Sequence, residues 1–324
     1  MRIELAKSAG FCYGVKRAVE MAEQTARSGG AVLLGPVIHN DHVVSKLERE
    51  GAVLVRAVEE VPDGASVILR SHGEAKWVHD ALEQKGCRII DTACPNVQRI
   101  HRLVAEAEAA GRQPVIIGTP DHPEIVAIAG WCRHPVVLPD GEALSAWLAE
   151  CPERREMPLT LVSQTTSTRK IWDQAIETAK KECTNAEIFD TICNATYIRQ
   201  TEAQELAARC DAMIIIGDRK SSNTKRLSEL CRALCPRVVA IEGAEELEPA
   251  SFAGAASIGI TAGASTPGWI IKEVYDKMSD EIMEIEESFA EMLEKSIKTL
   301  NTGEKVTGVV TGITPTEIYV DLGT

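Results

Sequence analysis

The chain has 324 residues, 44% hydrophobic and 26% charged, the proportions of a globular protein with room for two or three compact domains. Its formal charge of −13 excludes broad binding to phosphate backbones, which needs a basic face. No apolar run approaches the roughly 18 residues of a membrane-spanning helix.

The opening stretch, MRIELAKSAGFCYGV, lacks the long apolar core of a secretion signal, so a cytoplasmic protein is expected. Its ten cysteines are then expected as free thiols: metal ligands, reactive groups or small buried residues.

From residue 1 to about 275, apolar runs ending in glycine-bearing loops alternate with segments of helical period, which predicts α/β layers with mostly parallel sheets. The first cysteine loop is GFCYGVKRA, at Cys12. Strands ending in LGPVIHN and RSHG follow, carrying His39 and His72. The second cysteine loop is DTACPNV, at Cys94, followed by VIIGTPDHPE with His122 and Glu124 and by TLVSQTTS with Thr165. The third is DTICNATYIRQ, at Cys193, followed by MIIIGDRKSSNT with Ser221, Ser222 and Asn223 and by IGITAGAS with Ser265.

The spacing repeats. His39, His122 and Ser222 stand 27, 28 and 29 residues after their cysteines; His72, Thr165 and Ser265 stand 60, 71 and 72 residues after them. Three copies of one programme, a cysteine loop and two polar loops, predict a pseudo-threefold arrangement with the loops gathered at the carboxyl ends of the strands. The expected units are 1–93, 94–192 and 193–283.

Three thiolates from separate loops suit zinc or an iron–sulfur cluster. No C-x₂-C pair is present, which disfavours a zinc ribbon. Cys231 and Cys235 read as half-buried helix residues, and Cys87, Cys132, Cys151, Cys183 and Cys210 as ordinary strand and helix neighbours. Iron–sulfur clusters normally take four cysteines, so three would leave one iron open as a Lewis acid. Open-site chemistry with electron transfer points to reductive removal of a hydroxyl group. The histidines, hydroxyls, Asn223 and the small residues of TAGAST suit a diphosphate. SSNT also has the form of a helix N-cap, and Glu124 is either a proton donor or a solvated carboxylate at a helix start. A cluster-dependent dehydratase without net reduction, and an RNA-binding protein, are the competing function classes.

Taken in order, these stretches resemble the LytB/IspH family, the 4-hydroxy-3-methylbut-2-enyl diphosphate reductases that end the methylerythritol phosphate route to isoprenoids. The resemblance implies a trefoil of three α/β domains around a [4Fe–4S] cluster held by Cys12, Cys94 and Cys193, with one open iron. It implies a diphosphate site of His39, His72, His122, Ser221, Ser222, Asn223 and Ser265. Glu124, Thr165 and His122 would form the catalytic group, with Glu124 delivering protons, and Thr165 and Thr196 would lie beside the substrate. The implied reaction is a two-electron, two-proton reductive dehydration to isopentenyl and dimethylallyl diphosphate in a monomer, with ferredoxin or flavodoxin as donor. Two details depart from the family pattern: PDHPE lacks a glycine before its histidine, and GDRKSSNT lacks an asparagine before its serines.

From about Met278 the character changes. MSDEIMEIEESFAEMLEKSIKTL is acidic and helical in period, and 284–303 reads as a helical linker. GEKVTGVVTGITPTEIYVDLGT reads as two strands and resembles the opening of the RNA-binding OB-fold repeat of the largest protein of the bacterial small ribosomal subunit. That fold needs five strands, so residues 304–324 are expected to belong to a longer chain and not to bind RNA by themselves.

Overall fold

The computed structural model describes residues 1–280, 309–313 and 318–321. Residues 1–274 form one unit and the remainder another.

In chain order the first unit begins with strand β1 (Arg2–Leu5) and helix α1 (Tyr13–Arg27). Next come β2 (Ala31–Leu34), α2 (Asp41–Arg49), β3 (Val53–Val55), β4 (Ser66–Ile68), α3 (Lys76–Gln84) and β5 (Arg88–Ile90). The middle section runs α4 (Pro95–Ala109), β6 (Gln113–Ile117), α5 (Pro123–Ala129), β7 (Val136–Leu138), α6 (Gly141–Glu150), β8 (Leu159–Ser163), α7 (Arg169–Glu182) and β9 (Ala186–Ile188). The last section runs α8 (Asn194–Arg209), β10 (Ala212–Ile216), α9 (Ser222–Arg232), β11 (Val238–Ile241), β12 (Ser257–Ala262) and a helix, α10, over 268–280, whose residues from 275 on fall in the other unit.

The strands form three four-stranded sheets, all parallel, with the orders β3-β2-β4-β5, β7-β6-β8-β9 and β1-β12-β10-β11. Their central strands, such as AVLL in β2 and AMIII in β10, are buried along their whole length. Parallel sheets covered on both faces demand such unbroken apolar runs.

The three orders are one order. With the third sheet counted from its other edge, as β11-β10-β12-β1, the fourth position in each sheet is an edge strand that leads into a cysteine loop, and in the third sheet that strand is β1. Arg2–Leu5 pairs with Ser257–Ile260, so β1 departs from the expected first unit of 1–93 and completes the third sheet. The physical reason is the free edge of β12, whose own chain leaves for the loop at 263–267 and α10. Backbone hydrogen bonding on that edge is supplied from the other end of the sequence. The repeat is therefore shifted in phase. One sheet delivers His39, His72 and Cys94; the next His122, Thr165 and Cys193; the third Ser222, Ser265 and Cys12.

The described tail strands, β13 (Val309–Ile313) and β14 (Ile318–Asp321), pair antiparallel with a register shift between Val310 and Gly312. The expected linker at 284–303 lies outside the described residues.

Each sheet has its own core. In the second, Trp172 of α7 is fully buried against a cluster that includes Ile117, Leu144 and Leu161. Trp172→Ala should cost about 3–5 kcal/mol, by lost burial plus the cavity left behind. Urea unfolding followed by circular dichroism checks this, and an unchanged midpoint would contradict the packing described.

Candidate functional site

The DTAC and DTIC repeats make the same turn twice. Thr92 Oγ1 donates to Leu69 O across the sheet at 2.5 Å, and Thr191 Oγ1 donates to Ser163 O at 2.6 Å. Each aspartate caps the turn, Asp91 accepting from Ala93 N and Asp190 from Ile192 N. Each cysteine then donates its backbone N–H to a neighbouring polar loop. Cys94 bonds to Ser71 O at 3.0 Å, Cys193 to Thr165 O at 3.0 Å and Cys12 to Ala264 O at 3.4 Å. All three cysteines are N-cap residues, of α4, α8 and α1, and none uses its side chain as the cap. The thiols are left free.

The cysteine helices interlock. A Cβ on Gly14 would lie 2.5 Å from Cys94 Sγ, so the first turn of α1 lies directly against that thiol and only glycine fits there. Asn96 of α4 points its amide at Cys193 Sγ, at 3.2 Å. Arg199 of α8, a buried guanidinium, donates from Nη2 to Ser8 O and Gly10 O, both at 2.7 Å, which fixes the loop before Cys12. Burial pushes the Cys94 thiol pKa up, and proximity to Cys12 and Cys193 adds to it.

Glu124, in the first turn of α5, is 2% exposed. Its Oε1 accepts from Thr165 N and its Oε2 from Thr165 Oγ1, both at 2.6 Å. Burial raises its pKa, with the two Thr165 bonds opposing. The solvated-carboxylate alternative is thereby set aside: this carboxyl is buried and bonded to one partner residue. His122 caps the same helix, its Nδ1 accepting from Glu124 N at 3.1 Å. An accepting Nδ1 carries no proton, so in the neutral ring the proton sits on Nε2.

His39, His72 and His122 form a row, with ring centroids 4.7 Å apart for the first pair and 5.9 Å for the second. Burial depresses all three pKa values; His72 falls well below the usual range and His122 to about 4. Opposite them, Ser221 caps α9 by accepting from Thr224 N, as its sequence form suggests. Ser222 Oγ lies 3.1 Å from Thr166 Oγ1. His39 Nε2, both side-chain amide atoms of Asn223, and Ser265 Oγ are buried without a partner. Orphaned polar atoms converging on one space mark a missing polar ligand.

That space is a single cavity of about 100 Å³. Cys12, Cys94, Cys193, His39, His72, His122, Glu124, Thr165, Thr196, Ser221, Ser222, Asn223 and Ser265 all line it. Among the described residues, no three His, Cys, Asp or Glu side chains gather as one metal ion requires. Three soft thiols lining one cavity are donors of the kind an iron–sulfur cluster takes.

Sequence reasoning assigned no role to Arg199, Asn96, Thr166 or Arg70. Arg199 and Asn96 sit inside the cysteine stretches, and only the packing of α8 and α4 reveals what they touch. Arg70 pairs with Glu74 at 2.5 Å, and a Cβ on Gly35 would lie 3.0 Å from its Nη2. It thus ties the loop of His39 to the loop of His72.

Residues 3–279 match the family model described as "LytB protein". A Geobacter metallireducens protein named 4-hydroxy-3-methylbut-2-enyl diphosphate reductase is 39% identical over 281 residues, 86% of this chain and 98% of its own. A Clostridium tetani protein of the same name is 35% identical along all of this chain, a match that covers 50% of its own length. A solved structure of (E)-4-hydroxy-3-methyl-but-2-enyl diphosphate reductase, the terminal enzyme of the non-mevalonate pathway, aligns with TM-score 0.64 at 36% identity, over 86% of this chain and 100% of the other. The Plasmodium falciparum E-1-hydroxy-2-methyl-but-2-enyl-4-diphosphate reductase aligns with TM-score 0.79 at 25% identity, over 85% and 87%.

The depressed histidines set a pH dependence. The folded state binds fewer protons than the unfolded chain between the unfolded value of about 6.5 and the folded values. Stability of the ligand-free protein should therefore fall as pH drops through that window, and the His122 ring should titrate near pH 4 by NMR. A His122 midpoint near 6.5 would contradict the burial described.

Proposed function

The chain belongs to the LytB protein family, and we propose that it is a 4-hydroxy-3-methylbut-2-enyl diphosphate reductase. The observation that carries the reading is one cavity in which three thiols face a buried Glu124–Thr165 pair and a row of neutral histidines. Family membership implies an iron–sulfur cluster, and we assign its ligands as Cys12, Cys94 and Cys193 of a [4Fe–4S] cluster with one open iron. When bound, the cluster supplies one-electron reduction and a Lewis-acid position for the substrate hydroxyl.

The remaining chemistry belongs to the side chains. The raised pKa of Glu124 keeps its proton to higher pH than an ordinary carboxyl, as a general acid requires. Thr165 Oγ1, 2.6 Å from Glu124 Oε2, links that proton to a substrate hydroxyl in the cavity. The C–O bond breaks, the hydroxyl leaves as water with one proton, and a second proton goes to carbon. Two electrons balance the reaction to isopentenyl and dimethylallyl diphosphate. His39, His72, His122, Ser221, Ser222, Asn223 and Ser265 bind the diphosphate, which supplies acceptors for the neutral donors left unpaired. Thr196, buried on the first turn of α8, bounds the substrate.

Electrons arrive singly from ferredoxin or flavodoxin, and the protein acts as a cytoplasmic monomer. Among the described residues no helix is long and apolar enough to cross a membrane. The antiparallel pair β13–β14 is assigned as the start of an OB-fold repeat, an assignment supported by the full-length match to the longer Clostridium tetani relative.

Protein purified without oxygen should hold about four irons per chain and consume the hydroxymethylbutenyl diphosphate with a chemical reductant. Zinc in place of iron, or a cluster indifferent to the diphosphate, would overturn the assignment. Glu124→Gln should keep its iron and lose about 10²–10⁴-fold in kcat, the usual worth of a general acid. Activity within about tenfold of the native protein would remove Glu124 from that role. Cys193→Ser should lose the cluster; unchanged iron content would refute the ligand assignment.

A further inference from the structure

We propose that Asn96 raises the reduction potential of the cluster by donating a side-chain N–H to the sulfur of Cys193. The inference rests on the reductase reading, in which Cys12, Cys94 and Cys193 hold that cluster.

The pseudo-threefold repeat makes this position informative. The second residue after each cysteine is Gly14, Asn96 or Ala195, and all three line the cavity. Gly14 sits against the thiol of Cys94, where a Cβ would lie 2.5 Å from Sγ. Asn96 holds the same place on the second cysteine helix and meets the thiol of Cys193, with Nδ2 3.2 Å from Sγ. Glycine and alanine have no polar side-chain atom. Of the three equivalent positions, only Asn96 can place a side-chain donor on a cysteine sulfur.

The acceptor sets the direction of the bond. A sulfur that ligates iron is a thiolate without a proton, so the amide must present its NH₂ group to it. Reduction adds negative charge that the ligand sulfurs share. A donor on one of them therefore stabilises the reduced form more than the oxidised form, and hydrogen bonds to the sulfurs are among the levers that set a cluster's potential. Arg199 bears on the same corner of the cavity. Its guanidinium is 3% exposed, and the charges of Cys12 and Cys193 favour its protonated form. Its Nε and Nη2 are bonded to the carbonyls of Ser8 and Gly10, so removing it would also move the loop before Cys12. Asn96 carries no such burden. It is exposed at the rim of the cavity, and its bond to Cys193 is its one side-chain hydrogen bond among the described residues. Its amide can be removed without loosening another element, so its contribution is electronic.

The test uses the full-length, cluster-loaded protein without oxygen or diphosphate, and compares it with Asn96→Leu and Asn96→Asp. Leucine keeps the volume and removes the donor; aspartate keeps the shape and adds a negative charge. Reduction by dithionite with mediator dyes is followed by electron paramagnetic resonance. At the native midpoint, the reduced-to-oxidised ratio should fall about three- to tenfold in Asn96→Leu, the equilibrium equivalent of one net hydrogen bond. Tenfold is a downward shift of about 59 mV for a one-electron couple. Asn96→Asp should shift further in the same direction, because its charge opposes the added electron. Iron content and the urea midpoint of Asn96→Leu should match the native protein. An unchanged potential in Asn96→Leu at native iron content would overturn the proposal. So would loss of iron from that variant, which would make the amide a support of the site. A native protein whose cluster is reduced by dithionite yet consumes no diphosphate would instead overturn the reductase reading, and the shift in Asn96→Leu would still sustain the role of Asn96.

Discussion

The hydrogen bond from each cysteine N–H to the carbonyl of a neighbouring polar loop is the constraint on which the site depends. It occurs three times, from Cys94 to Ser71, from Cys193 to Thr165 and from Cys12 to Ala264. Each bond ties a cysteine to a neighbouring polar loop of the same sheet. Each also leaves the cysteine at a helix N-cap with its side chain unused. A thiol placed by main chain alone does not depend on rotamer choices elsewhere. Three of them can therefore be brought to one cavity by repeating a turn rather than by building a separate frame for each.

The cavity manages charge by burial. Desolvation disfavours the imidazolium form along the histidine row and the carboxylate form of Glu124, where the two Thr165 bonds oppose it. The cavity is lined by N–H and O–H groups of histidine, serine, threonine and asparagine side chains, and Arg70, beside His72 in the chain, is paired with Glu74. Such donors are selective because they are already oriented. His122 illustrates this: its Nδ1 is occupied by Glu124 N, so only Nε2–H is offered. The backbone N–H of Glu124 thus fixes the tautomer of the neighbouring ring.

Much of this was legible in the sequence, and the rest was not for definite reasons. The cysteine loops and polar loops are local: glycine, an apolar run and a helical period announce each one. All the residues picked from them reach one cavity. The placement of β1 was not legible, because a four-residue strand with exposed ends and no fully buried residue carries no mark of its partner. Its pairing with β12 depends on a free edge 255 residues away in register, Arg2 facing Ser257. The pairing of Glu124 was equally hidden, since its partner Thr165 lies 41 residues on, in the loop after β8. Arg199 reads as one more helix cation until the loop at Ser8 and Gly10 closes over it.

The shift in phase of the repeat bears on how the three units act together. If β1 had stayed with the first sheet, each unit would own its cysteine and could move with it. Instead, every cysteine sits between two units: its backbone N–H is bonded to the sheet behind it, and its helix packs onto the sheet ahead. α1 begins at Cys12 on the third sheet, yet Ala18, Val19 and Ala22 pack in the core of the first. α4 begins at Cys94 on the first sheet, and Ile100 and Val104 pack with Ile116 and Val162 of the second. α8 begins at Cys193 on the second, and Ala203 and Leu206 pack with Met213 and Ile215 of the third. The three thiols are thus the hinges of a closed ring of sheets, and any group bound by all three would fasten the units to one another as well as to itself.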